Sequence, residues 1–207
     1  MRLRPLLERI VQAPGLHARF LNAVARMKYV GARKILKSRR SLFLRLEDLE
    51  HTGDELRHSF LLKQAALAIA GAPEEVATFA DDQTLAGAAA EAYLQGVDEA
   101  AEQALLDLPD PLRTEVNYLF TTVAAEVRAD AFYPVYDRVL ELAGSDFRVT
   151  GIFHDGVRHL NSRRRRLESV FPGWTERIDQ VLAQEELLFD RFLDEIEAAC
   201  AAHVEPE

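Results

Sequence analysis

Glycine and proline punctuate this chain at Pro14-Gly15, Gly71-Ala72-Pro73, Pro109 with Pro111, Gly144 and Pro172-Gly173, and the long stretches between carry apolar residues at helical spacing. Such stretches are too long for strands, and no period-two alternation competes with them. The pattern predicts a short helix over 3–12, long helices over about 16–39, 42–70, 112–143 and 146–170, and further helices over about 85–107 and 175–202. Pro134 falls inside one of the long segments and is expected to kink or split it. Ser145 or Asp146, and later Thr175, are the expected N-caps. The fold class is all-α, in one domain over residues 1–207.

Composition narrows the function. Hydrophobic residues make up 48% of 207, enough for a packed core, and the net charge of −9 disfavours a nucleic-acid partner. No apolar run reaches the length of a membrane span, and the N-terminal segment, broken by Glu8, Arg9 and Gln12, makes a poor signal peptide. The lone Cys200 has no internal disulfide partner, which fits a reducing cytoplasm. Neither a phosphate-cradling glycine loop nor a nucleophile elbow is present.

Glu55 and His58 stand three apart on a helical segment and therefore share a face. Three other long helices offer one candidate each. Lys28 lies on a stripe with Val24, Gly31 and Ile35; Glu126 lies among Leu119, Val123 and Tyr133; His159 follows Ile152 at helical spacing. Carboxylates and imidazoles presented inward from facing helices are how a bundle builds an internal metal site.

Four stretches in this order resemble a bacterial ferritin-like family: Met27 to Ile35, Asp54-Glu55-Leu56-Arg57-His58, Ala125 to Asp130, and Val157-Arg158-His159-Leu160. The resemblance spans about residues 16 to 168. It implies a ferritin-like four-helix bundle with additional N-terminal, crossover and C-terminal helices, and a site for two metal ions held by four carboxylates and two histidines. Two of those carboxylates are missing here. Lys28 stands in place of one glutamate, and Gly156 in place of another.

A divalent ion about 5 Å from a charged lysine, at an effective dielectric near 20, meets roughly 7 kcal/mol of repulsion. The simpler arrangement sets the Lys28 ammonium between Glu55 and Glu126, where it replaces metal. Asp155, four residues before His159, offers an alternative ligand. Glu55, His58, Glu126, Asp155 and His159 would then hold a single ion, with room beside Gly156 for water or a ligand. Asp48, His51 and Asp130 are nearby polar groups, and His51 and His154 read as surface or supporting residues. Tyr29, Tyr118 and Tyr133 read as packing. The run Arg163 to Arg166 reads as a solvated or salt-bridged face.

The expectation is therefore a ferritin-like protein whose di-metal site has decayed or been repurposed. It would be metal-free or mono-metallic, with no cofactor or else iron or manganese, and a binding or structural role as a homodimer or with a partner protein. The alternative is a metal-dependent oxidoreductase using dioxygen.

Overall fold

The computed structural model describes residues 2–38 and 44–203, and these form seven α-helices, two short 3-10 turns and no strand. The helices are α1 (Leu3–Gln12), α2 (Pro14–Ser38), α3 (Leu46–Ile69), α4 (Gly87–Gln103), α5 (Asp110–Leu142), α6 (Thr150–Val170) and α7 (Trp174–Ala202). No described helix is long and apolar enough to cross a membrane. The expected starts at 42 and end at 39 fall on residues outside the described ones.

Several boundaries differ from the sequence expectation for identifiable reasons. Pro14 opens α2 rather than only closing α1, because a proline at the first helical position loses no bond the helix needs. Pro134 does not split α5, which runs through it to Leu142. Pro134 and Asp130 are both exposed, so water can satisfy the Asp130 carbonyl that the missing N–H leaves free. α6 starts at Thr150, not 146. The Asp137 carboxylate accepts from the Val149 N–H (2.9 Å) and the Thr150 hydroxyl (3.1 Å), and this tie from α5 holds the start of α6. α7 is entered through Gly173 at φ +83°, a conformation that favours glycine, and not through a Thr175 cap.

The helices associate as antiparallel pairs. Along α2 and α3, Lys28 meets Glu55, Ser59 donates to the Ala25 carbonyl (2.8 Å) and Lys63 donates to Asn22 (2.7 Å), so residue numbers fall on one helix as they rise on the other. Along α5 and α6, Arg166 meets Glu115 and His159 meets Glu126 in the same sense. The α4 and α7 helices form a further layer. Tyr93 of α4 donates to Glu185 of α7 (2.5 Å), and Arg128 of α5 donates to both oxygens of that carboxylate at 2.8 and 2.7 Å. The α2 and α5 helices are joined through His17, whose Nε2 accepts from the Tyr136 hydroxyl at 2.7 Å. Burial lowers the pKa of His17 to about 4 and keeps the ring neutral. The apolar core runs through all these layers, from Leu7 and Ile10 to Phe120, Leu140 and Leu167. Besides the Tyr93–Glu185–Arg128 group, it leaves a larger polar region inside, between α2, α3, α5 and α6.

Candidate metal centre

The polar region has an outer ring and an inner cluster. In the ring, Arg57 and Arg158 each donate to both Asp54 and Asp155, so two cations and two anions alternate between α3 and α6. The aspartates also reach inward and across. Asp155 bonds His58 Nε2 at 3.0 Å, and Asp54 bonds His159 Nε2 at 3.0 Å. Each aspartate thus supports the histidine of the opposite helix. The arginines and the histidine hydrogen bond hold both aspartates below the ordinary carboxylate range despite partial burial.

This crossing follows from a repeated pentad. Asp54-Glu55-Leu56-Arg57-His58 and Asp155-Gly156-Val157-Arg158-His159 share the pattern Asp-x-x-Arg-His. Its i,i+3 and i,i+4 spacings place three functional groups on adjoining faces of one helix turn.

Inside the ring the imidazoles pose a protonation problem. A carboxylate at Nε2 favours the tautomer with its proton there, which turns an unprotonated Nδ1 inward. For His159 that Nδ1 lies 3.4 Å from Glu126 Oε1, and for His58 it lies 3.8 Å from Glu55 Oε1. Both Nδ1 atoms, and Glu126 Oε2, are buried without a hydrogen-bond partner. Lone pairs then face carboxylates across gaps too long for a hydrogen bond. Either a second proton on each ring or a cation between the groups resolves this.

On the α5–α6 side the third member is His51. Its Nε2 lies 3.5 Å from Glu126 Oε1, and its ring centre is 4.3 Å from that of His159. One ligand atom each from His51, Glu126 and His159 lies within 4.8 Å of the other two, and all three residues are buried. Donors bound to one ion at about 2.0–2.2 Å sit about 3–3.5 Å apart, which matches the two histidine–carboxylate separations. The other nitrogen of His51 is supplied for either tautomer: Arg163 can donate to it (3.3 Å) and the Tyr118 hydroxyl can accept from it (3.4 Å). Burial lowers the pKa of His51, against the pull of Glu126 and Glu55. Burial opposes the charge on Glu126 too, yet His159, His51 and the Lys28 field together hold it well below the usual carboxylate range.

The α2–α3 side is filled by a cation of the chain itself. Lys28 Nζ donates to Glu55 Oε1 at 2.7 Å, with the lysine side chain only 15% exposed. Burial disfavours the ammonium, but Glu55, Tyr133 and Glu126 outweigh it and raise the lysine pKa. Lys28 pairs with Glu55 and lies over the Tyr133 ring at 5.9 Å, while Glu126 acts on it through the field, so it does not sit midway between the two acids. The second oxygens of both acids lie over glycines: a Cβ at Gly31 would stand 2.7 Å from Glu55 Oε2, and one at Gly156 2.8 Å from Glu126 Oε2. The space beside Gly156 therefore holds a carboxylate oxygen rather than a cavity.

Of the residues named from sequence, Lys28, Glu55, His58, Glu126 and His159 all converge on this region. The structure places the Asp155 carboxylate on the outer nitrogen of His58 and in the arginine ring. His154, Asp130 and Tyr29 are exposed, and Tyr29 stacks on Phe79. Within the arginine run Arg166 pairs with Glu115, whereas Arg163 lies inside rather than on a face: it is buried, pairs with Asp48 at 3.3 Å and donates to His51. His51 lies inside the cluster rather than in the expected surface or supporting position, and helical spacing already points it inward. It stands four residues before Glu55 and seven before His58, one stripe of the same face.

Comparison with family models, with curated proteins and with solved structures found no match.

Proposed function

We propose that this chain is a ferritin-like bundle with a reduced metal centre. One divalent transition-metal ion is held by His51, Glu126 and His159, and the Lys28 ammonium stands where a second ion would otherwise sit. The observation that carries this reading is the buried, unpartnered His159 Nδ1, which faces Glu126 Oε1 at 3.4 Å, with His51 Nε2 at 3.5 Å from the same oxygen. The donors fit the group: two imidazoles and a carboxylate suit iron, manganese or zinc, and Asp54 behind His159 is the outer carboxylate that orients metal-binding histidines.

Glu126 supplies charge neutralisation, the two histidines supply neutral donors, and Lys28 keeps Glu55 ionised and out of competition for the ion. Elemental analysis of protein purified without chelator tests this. One iron, manganese or zinc per chain is expected. Two ions per chain would overturn the role of Lys28, and none would make the cluster a structural one.

A second reading, a dioxygen-using oxidoreductase, is favoured by a cavity of about 490 Å³ whose wall includes His51, Glu55 and Glu126. A two-histidine, one-carboxylate iron site supplies open positions for dioxygen chemistry when loaded. Substrate-dependent oxygen uptake by the iron-loaded protein, lost in His159→Ala, is its signature.

A further inference from the structure

Two cavities adjoin at the Lys28–Glu55 pair. The outer one, about 490 Å³, reaches His51 and Glu126 and is rimmed by charged residues including Lys34, Lys37, Asp98 and Arg113. The inner one, about 160 Å³, lies among α1, α2, α5 and α7 and is walled by Val24, Met27, Ala129, Phe132, Phe189 and Phe192. Lys28, Gly31, Glu55, Tyr93, Leu94 and Ala125 line both. An apolar chamber of this size matches an engineered cavity of about 150 Å³ that takes benzene, so it has space for roughly six carbons. Ligand cavities pair such apolar walls with a few placed polar groups.

Charge selects what those polar groups would receive. In the inner cluster one ammonium, Lys28, stands against two carboxylates, Glu55 and Glu126, and these three side chains sum to one net negative charge. The two aspartates and two arginines of the ring cancel, as do Asp48 and Arg163. A divalent ion turns the balance to one net positive charge, which a single anion neutralises. Burial in a low dielectric makes that neutrality matter more than it would in water.

We infer that the metal-loaded protein binds a monoanionic amphiphile, a carboxylate with an apolar tail of about six to eight carbons. Its head lies in the outer cavity beside His51, Glu126 and Lys28, and its tail in the inner chamber. This rests on the mono-metallic reading above.

Isothermal titration of zinc-loaded and zinc-free protein with octanoate tests it, with butyrate and octylamine as controls. Octanoate is expected to bind the loaded form at least tenfold more tightly than the zinc-free form, and at least tenfold more tightly than butyrate or octylamine. Ala129→Leu, which fills the inner chamber, weakens octanoate about tenfold while butyrate binding and zinc stoichiometry stay unchanged. Equal octanoate binding with and without zinc, octylamine binding as well as octanoate, or an Ala129→Leu variant that binds octanoate as before each overturns the inference. If zinc binds at one per chain and octanoate does not bind, the inference falls and the metal reading stands. If none of zinc, iron and manganese binds, both fall.

Discussion

The α2–α3 pair and the α5–α6 pair bring similar parts to the centre of the bundle. Each has a Asp-x-x-Arg-His pentad on its second helix, an inward acid, and a glycine over which that acid lies. In the first pair the acid is Glu55, and a lysine from the neighbouring helix neutralises it at 2.7 Å. In the second the acid is Glu126, with imidazoles at 3.4 and 3.5 Å from one of its oxygens. The same local motif thus yields a closed ion pair on one side and an open donor set on the other. The identity of one side chain on α2, and the arrival of His51 from α3, make the difference.

The most damaging test of this contrast is removal of an inward donor. His159→Ala is expected to lower metal affinity by about a thousandfold or more, measured by competition with a chromophoric chelator, whereas His58→Ala retains most of it. Equal losses in the two variants would mean that the halves share one site.

Lys28→Met strands Glu55 as a buried, unpaired charge. Removing one partner of a buried pair costs about 3–5 kcal/mol, and urea unfolding of metal-free protein should report a loss of that order. Lys28→Met combined with Glu55→Leu should recover most of it. A single-variant loss below about 1 kcal/mol would show that the ammonium does not hold the acid in place.

Outside both halves, His17 sets an acid limit. Its folded pKa, about 4, lies below the ordinary value of 6.5. The unfolded chain therefore binds more protons between these values, and the His17 contribution is complete above 6.5 and falls as pH drops towards 4. The shift corresponds to about 3 kcal/mol. Glu55 and Glu126 are both held below the ordinary range, so they stay ionised through this window. Denaturation midpoints at pH 7 and 4.5 should differ in the parent, and the difference should shrink in His17→Asn, leaving the part contributed by the buried His51. An undiminished slope in that variant would place the acid sensitivity in the cluster alone.

The mildest and sharpest comparison lies in the outer ring. Asp54→Asn is expected to weaken metal binding by about 10–100-fold, the usual effect of losing the carboxylate behind a liganding histidine. Asp155→Asn, which touches His58 instead, should change it by less than about threefold. Matching effects would place His58 among the ligands.

Much of this arrangement was legible in the chain. Helical periodicity gave the seven helices to within a few residues, because apolar spacing reports which face is buried whatever it packs against. Lys28, Glu55, Glu126 and His159 were also legible, since each shares a stripe with core residues. Pro134 misled because the cost of a proline depends on whether the orphaned carbonyl meets water, a property of the exposed face of α5.

What the sequence determined by itself is therefore local: helix, inward stripe, and the pentad that sets an aspartate, an arginine and a histidine on one turn. Only the tertiary structure decided which groups meet. It crossed the aspartates to the opposite histidines, paired Lys28 with Glu55, turned Arg163 inward to Asp48 and brought His51 beside Glu126. Helical spacing fixes directions within one helix, whereas distances of 3–4 Å between helices depend on the axial offset and rotation of whole packed elements, which no single stretch of chain encodes.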